Sequence, residues 1–192
     1  IMKRLLLIFI VTLSFQTLVK ADDIRDFEIE GMSIGDSLLE HFSEEEIVKN
    51  IDENIFKKTD KKFKTTGFYR TFGSYEGMQF TFKTNDSKYI IYALTAGIFY
   101  SDFQQCKKKM KSISDDLLIL FSDAEVETAS KSTFAIDKTG KSFDVANYFD
   151  LKNGYVKISC VDWSDEITSE YDWSDNLRLE VVSEEFSNWL PN

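Results

Sequence analysis

The sequence is poor in the residues that build metal sites and nucleophilic catalytic sites, with a single histidine, His41, and two cysteines among 192 residues. No second histidine is present to complete a zinc site, and neither an H-E-x-x-H nor a C-x-x-C motif occurs. A Ser-His-Asp triad would have to use His41, and no G-x-S-x-G elbow accompanies it. Walker and G-x-G-x-x-G phosphate loops are absent as well. The residues therefore assign no catalytic group.

Basic residues are in deficit, with 23 Lys and Arg against 33 Asp and Glu and a formal net charge of −10. A protein that neutralises nucleic-acid phosphates needs the opposite sign, so nucleic acid is disfavoured as a partner. Hydrophobic residues make up 43% of the chain and aromatic residues 15%, too many for a disordered chain or a solvating linker. The composition predicts a folded, acidic protein that does not bind nucleic acid.

The first 21 residues have the three-part pattern of a secretory signal peptide. Two basic residues at 3–4 precede an uncharged aliphatic run at 5–11, and Val19 and Ala21 occupy the −3 and −1 positions of an A-x-A-like cleavage site. A membrane anchor is the alternative, although the segment falls short of ~20 apolar residues. We predict cleavage after residues 1–21, export to the periplasm or the cell exterior, and no membrane association afterwards.

The remaining chain, residues 22–192, has the length of one domain with a core of its own. Its two cysteines, Cys106 and Cys160, form an even pair, which an oxidising compartment allows to close as a disulfide. The alternative is two separate buried thiols, which behave as small apolar groups. Export favours the disulfide.

Hydrophobic periodicity predicts an α+β fold with a mostly antiparallel sheet of about five to seven strands packed against one long helix. The helix is predicted at 102–121, where apolar residues recur every three or four positions and include Cys106. Short helices are predicted near both termini, beginning at Ser33 and Ser43 and after Ser183. The predicted strands are 63–72, 78–82, 89–100, 143–151, 155–163 and 177–181.

An acidic segment near the C-terminus carries two Asp-Trp-Ser-Asp repeats ten residues apart. Its carboxylates are candidate Ca²⁺ ligands, since hard cations prefer oxygen: Asp162, Asp165, Glu166, Asp172 and Asp175. The two tryptophans, Trp163 and Trp173, are an alternative platform for a sugar or an apolar ligand. A solvated acidic loop whose tryptophans pack on the sheet edge is the third interpretation.

Several segments resemble small exported proteins of marine alphaproteobacteria, among them residues 26–39, 75–80 and 175–181. This resemblance implies an exported protein of this size and carries over no catalytic residue. The stretch 29–35, Ile-Glu-Gly-Met-Ser-Ile-Gly, also resembles the opening of small periplasmic α+β domains of the outer-membrane assembly lipoprotein and β-lactamase-inhibitor type. The second resemblance implies a sheet face that binds other proteins.

Three functions are compatible with these features. The first is an exported, soluble domain that binds a protein or a small molecule, which the signal pattern and the aromatic content favour. The second is an extracytoplasmic hydrolase using two carboxylates. The third is an envelope protein stabilised by Ca²⁺ through the acidic segment. Oligomeric state and ligand identity stay open at this level.

Overall fold

The computed structural model describes residues 23–52 and 61–190. The predicted signal peptide, 1–21, lies outside these residues. Within the described part, no helix has both the length and the apolar character required to cross a bilayer.

The described residues form four α-helices and eight β-strands. The helices are α1 (Glu44–Lys49), α2 (Phe103–Leu120), α3 (Asp165–Tyr171) and α4 (Glu184–Trp189). The strands are β1 (Ile51–Asp52), β2 (Phe63–Phe68), β3 (Gly77–Lys83), β4 (Ala93–Phe99), β5 (Glu125–Thr133), β6 (Phe143–Leu151), β7 (Gly154–Asp162) and β8 (Asn176–Ser183).

One antiparallel sheet contains all eight strands in the order β1-β2-β3-β4-β8-β7-β6-β5. The last strand, β8, is thus inserted between the two halves of the sheet and pairs with β4 on one side and β7 on the other. A tight hairpin joins β6 to β7, and its residues Asn153 and Gly154 have φ angles of 66° and 159°. The strands predicted at 143–151 and 155–163 are therefore present and joined by a tight turn.

One face of the sheet carries the main hydrophobic core. Strand pairing aligns Phe80, Leu94, Val181, Val156 and Phe149 in a single row across five strands, and all five are buried. Helix α2 packs on this face against β7 and β8. The helix predicted at 102–121 is confirmed, and its regularly spaced apolar residues form the buried stripe.

A disulfide joins α2 to the sheet. Cys106 lies on the buried stripe of α2 and Cys160 lies on the core face of β7, with their Cα atoms 5.9 Å apart. The two sulfurs are at bonding distance, as the sequence predicts. The disulfide thus connects the only long helix of the described part to the centre of the sheet.

The opposite side of the sheet is polar, and we call it the polar face. Strand pairing places on it the central side chains Gln79, Thr95, Arg178, Glu180, Lys157, Ser159 and Tyr148. Helix α4 covers one end of the face, where Phe186 and Trp189 pack on Val182. Trp163 and Ile167 cover the other end next to Val161. Between these ends, most of the central side chains are half-buried rather than buried.

The fold class is confirmed, but the sheet has eight strands rather than five to seven. Strand β5 was missed because its side chains are polar and mostly exposed, and it lies at the sheet edge where neither face requires apolar residues. Strand β1 has two residues, too few to show a period. The strand predicted at 89–100 is shorter, Ala93–Phe99, and on the polar face its Thr95 is half-buried and its Phe99 exposed.

The short helices agree with the sequence in part. Ser43 and Glu46 form the predicted capping box of α1, and Ser183 caps α4. No helix begins at Ser33, where Asp36 accepts hydrogen bonds from the Ser33 backbone N–H and hydroxyl and closes a turn, but a short 3-10 helix, Leu38–Glu40, follows directly. A carboxylate that accepts from a serine three residues earlier stabilises turns as well as helix starts, so the pair alone does not distinguish them.

Candidate ligand-binding face

The centre of the polar face is an ion-paired cluster on β6, β7 and β8. The Lys157 ammonium lies 2.8 Å from an Asp144 carboxylate oxygen and 3.4 Å from a Glu180 oxygen. The Ser132 hydroxyl of β5 donates a hydrogen bond to the same Asp144. The side chains of Asp144 and Lys157 are only 2% and 18% exposed. The cluster therefore holds charge on the sheet with little contact to solvent.

Both the pairing and the burial affect the protonation of Lys157. Burial acts to lower the pKa of the ammonium, but Glu180 and Asp144 outweigh that effect and raise the pKa above its ordinary value. Lys157 is consequently a cation at neutral pH. Its charge is already balanced by two carboxylates, so it is poorly suited to bind a further anion.

The other central cation, Arg178, is held differently. Its Nε donates to the Asn176 side-chain oxygen at 2.9 Å, and its guanidinium carbon lies 5.6 Å from the centroid of the Trp163 ring. Arg178 forms no salt bridge with any residue in the described ranges, although the chain has 33 acids. The guanidinium is therefore oriented by its neighbours while its charge stays unpaired.

Two polar atoms near Arg178 lack hydrogen-bond partners. Across residues 23–52 and 61–190, the buried side-chain atoms without a partner are the Ser159 hydroxyl oxygen and the Trp163 indole nitrogen. Ser159 pairs directly with Arg178 across β7 and β8, so both side chains project from the polar face. Buried polar groups are nearly always hydrogen-bonded, which makes two such atoms around one unpaired cation informative.

The two predicted tryptophans lie together but are not equally accessible. Their ring centroids are 4.9 Å apart, with Trp163 7% exposed and Trp173 39% exposed. Phe134 stacks near Trp163, and Tyr171 lies 5.0 Å from Trp173. The result is an aromatic cluster at one end of the polar face, with its outer rings facing solvent. A ligand platform on both tryptophans stays a prediction.

The structure gives each of the five carboxylates predicted to bind Ca²⁺ its own position or its own partner within the chain. Glu166 pairs with Lys141, and Asp175 accepts the backbone N–H of Trp163. Asp172 ends α3 in a left-handed conformation, and Asp165 lies exposed in the first turn of the same helix. The segment expected as a loop is thus partly helical.

Asp162 lies at the end of β7, where burial and the nearby Asp175 carboxylate raise the pKa of its carboxyl. In the part of the chain that the structure describes, no group of three or more potential ligands converges. The Ca²⁺ site and the carboxylate hydrolase both stay predictions.

Sequence reasoning did not single out Lys157, Asp144, Arg178 or Ser159. A partial signal is present in β8, whose sequence alternates apolar residues with Arg178 and Glu180. That alternation indicates two charges on the face opposite the core. It does not show which residues of other strands lie beside them.

Alkaline pH is expected to destabilise the protein through Tyr155 and Lys157. Burial, followed by the nearby Glu180, raises the pKa of the Tyr155 phenol to about 12, and the pKa of Lys157 is raised as well. Both groups keep their protons longer in the folded chain, so their contribution is complete below pH ~10 and is lost as the pH rises towards 12.

For Tyr155 alone the expected loss at pH 12 is about 2 kcal/mol. Urea unfolding at several pH values measures it. The Tyr155→Phe variant should show a shallower decline above pH ~10, whereas Tyr69→Phe, at an exposed ring, should leave the slope unchanged. Equal slopes for all three proteins would contradict the explanation.

Comparison with known proteins gives no relative: no family model, no curated protein and no solved structure matches the chain.

Proposed function

We propose that the protein is an exported binding domain that holds its ligand on the polar face of the sheet. The observation that carries the proposal is Arg178, an oriented and unpaired cation in the middle of that face, with unpartnered polar atoms beside it. Unpaired polar groups cost free energy in the free protein, and a ligand that pairs them recovers that cost on binding.

Exposed aromatic side chains on the polar face support the same proposal. Phe99 of β4 is 45% exposed, and Tyr69 is 75% exposed with its ring against Gly67 and Gly77. Exposed aromatic residues beside an arginine are typical of binding surfaces, where they supply contact area at low entropic cost. The core face offers no comparable surface, because α2 and the segment 24–47 cover it.

Two features support an extracytoplasmic location. The pair Cys106–Cys160 lies at disulfide distance, and such bonds persist mainly in oxidising compartments. The predicted leader at 1–21 provides the route of export. We therefore place the binding function in the periplasm or outside the cell.

Affinity capture with matched surface variants tests the function. The purified chain is immobilised as wild type, as Phe99→Asp and as Lys108→Glu, and exposed to extract of the cell envelope and the surrounding medium. Phe99 lies on the polar face, whereas Lys108 lies on the solvent side of α2. Retained molecules, including small ones released by denaturation, are quantified by mass spectrometry.

We expect one or more molecules to be enriched on wild type and on Lys108→Glu and to be lost on Phe99→Asp. Circular dichroism and urea unfolding confirm that each variant is folded. Retention that is equal on all three proteins, or that never exceeds a blank support, would refute binding through the polar face.

A further inference from the structure

A small depression lies beside Arg178 on the polar face. Gly97 of β4 pairs with Arg178 on one side and with Gly77 on the other, so two neighbouring positions have no side chain. A Cβ atom placed on Gly97 would find only two backbone oxygens within 4 Å, at 3.8 and 4.0 Å. No side-chain atom lies within 4 Å of that position, whereas at Gly77 the Tyr69 ring comes to 3.4 Å of the equivalent position, so the gap is confined to Gly97. We call this space the Arg178 depression.

The Arg178 guanidinium is prepared to bind an anion at the edge of this depression. The Trp163 ring lies 5.6 Å from the guanidinium carbon, and Asn176 accepts from Nε, so the planar group is held in a defined orientation. No described acid neutralises it. A guanidinium whose position is fixed by its neighbours loses less entropy when it pairs with a ligand than a mobile side chain does.

Ser159 provides independent evidence that a polar ligand group belongs here. Its side chain is fully buried, projects from the polar face next to Arg178, and its hydroxyl has no hydrogen-bond partner. A hydroxyl can donate to an anionic oxygen. The unpaired charge and the unpaired hydroxyl therefore point to the same kind of ligand atom, an oxygen that accepts hydrogen bonds.

The surrounding charges and rings narrow the ligand further. Glu76, whose carboxylate accepts the Phe99 N–H at 2.7 Å, and Glu180, two residues from Arg178 on the same face, both lie near the depression, so a doubly charged phosphate meets more repulsion than a singly charged carboxylate. A planar carboxylate also matches the fork of an arginine side chain. Phe99, 45% exposed next to the depression, offers an apolar surface to the rest of the ligand.

We propose that the Arg178 depression binds a carboxylate group attached to an apolar body. This inference rests on the proposed binding function and specifies its ligand chemistry. A small carboxylic acid and the C-terminal carboxylate of a peptide share that chemistry. In either case Arg178 pairs the carboxylate and Phe99 contacts the apolar portion, and the Ser159 hydroxyl, which solvent does not reach in the free protein, joins only when the side chains over it move on binding.

Binding of defined probes tests the proposal. The small probe is 3-phenylpropanoate and the peptide probe is a tripeptide ending in phenylalanine with a free carboxylate. Their matched controls are 3-phenylpropanamide and the same tripeptide amidated at its C-terminus, and phenyl phosphate tests the anion type. Affinities are measured by chemical-shift titration of the intact, disulfide-bonded chain.

We expect at least one carboxylate probe to bind and its amide to bind roughly tenfold or more weakly, as for a lost charged hydrogen bond. The Arg178→Gln variant should lose the difference between acid and amide. Arg70→Gln should preserve it, since Arg70 also lies over aromatic rings, those of Phe42 and Phe72, yet is placed away from the depression.

Gly97→Val gives a second variant that does not remove a charge. The Cβ position at Gly97 is free of side chains, so valine fits the strand and fills the depression. This variant should stay folded and should no longer bind the carboxylate probes.

In the wild type, the probe that binds more tightly, the small acid or the peptide, identifies the source of the carboxylate.

Three results would overturn the inference: acids and amides bind equally, phenyl phosphate binds more tightly than either carboxylate, or no probe binds. These failures are distinguishable from failure of the binding function. If the polar face still captures a molecule that Phe99→Asp loses, the function stands and only the carboxylate assignment is wrong. If capture fails as well, both are wrong.

Discussion

Replacing Cys106 and Cys160 by alanine is expected to lower the free energy of unfolding by roughly 4 kcal/mol, the chain-entropy value for a loop of this length. The two residues are 54 positions apart, and the bond ties α2 to the middle of the sheet. Without it the unfolded chain gains conformational freedom, while the folded chain keeps the apolar contacts of α2.

Urea unfolding of the oxidised wild type and of the double variant measures the difference. Treatment of the wild type with dithiothreitol should produce a loss of similar size, whereas the double variant should not respond to the reductant. An unchanged midpoint on reduction of the wild type would show that the bond does not contribute to stability.

The second large effect is expected for Lys157→Met. Lys157 pairs with Asp144, whose side chain is 2% exposed, and its replacement leaves this carboxylate buried with the Ser132 hydroxyl as its one side-chain partner among residues 23–52 and 61–190. Removing one partner of a buried ion pair costs about 3–5 kcal/mol, mainly because the remaining charge is uncompensated. We expect a loss in that range from urea unfolding at neutral pH.

The double variant Lys157→Met/Asp144→Asn is the control for that explanation. It removes the charge on Asp144 and keeps a polar group beside Ser132, while Glu180, which is 23% exposed, loses its lysine partner in both variants, so the double variant should be more stable than Lys157→Met alone. A double variant that is less stable than the single one would show that the charge on Asp144 is not the cause.

Helix α2 and the disulfide were predictable because their signals are local. The apolar spacing of 102–121 defines one buried stripe and places Cys106 on it, and the alternation of 155–163 makes that segment a strand. A helix that packs on a sheet brings its buried stripe against the core-facing strand positions. Even parity of the cysteines then made the pairing the natural expectation.

Strand β5 and helix α3 were not predictable by the same means. The burial pattern of β5 has no sustained alternation, because an edge strand is stabilised by backbone pairing to β6 rather than by apolar side chains. The seven residues of α3 include one buried apolar residue, Ile167, which cannot define a period. Strand β5 therefore depends on a tertiary contact, whereas α3 does carry a local signal, the N-cap Ser164 followed by Asp165 and Glu166 in the first turn.

The residues of the candidate site likewise differ in whether the local sequence could reveal them. Trp163 and Trp173 were visible in the sequence because they are rare residues in a repeated motif. Arg178 was not, since its significance depends on Gly97 and Ser159 lying beside it, and these come from strands β4 and β7. Only the long-range pairing of β8 between the two halves of the sheet brings the three together.

Photo-crosslinking in cells that produce the protein tests the binding face most directly. Phe99 on the polar face, or Lys108 on α2 as the control position, is replaced by benzoylphenylalanine, the cells are irradiated, and the intact mass of the purified chain is measured. The account predicts a discrete covalent adduct at position 99 and none at position 108. An adduct at position 108 alone, or none at position 99, would contradict it.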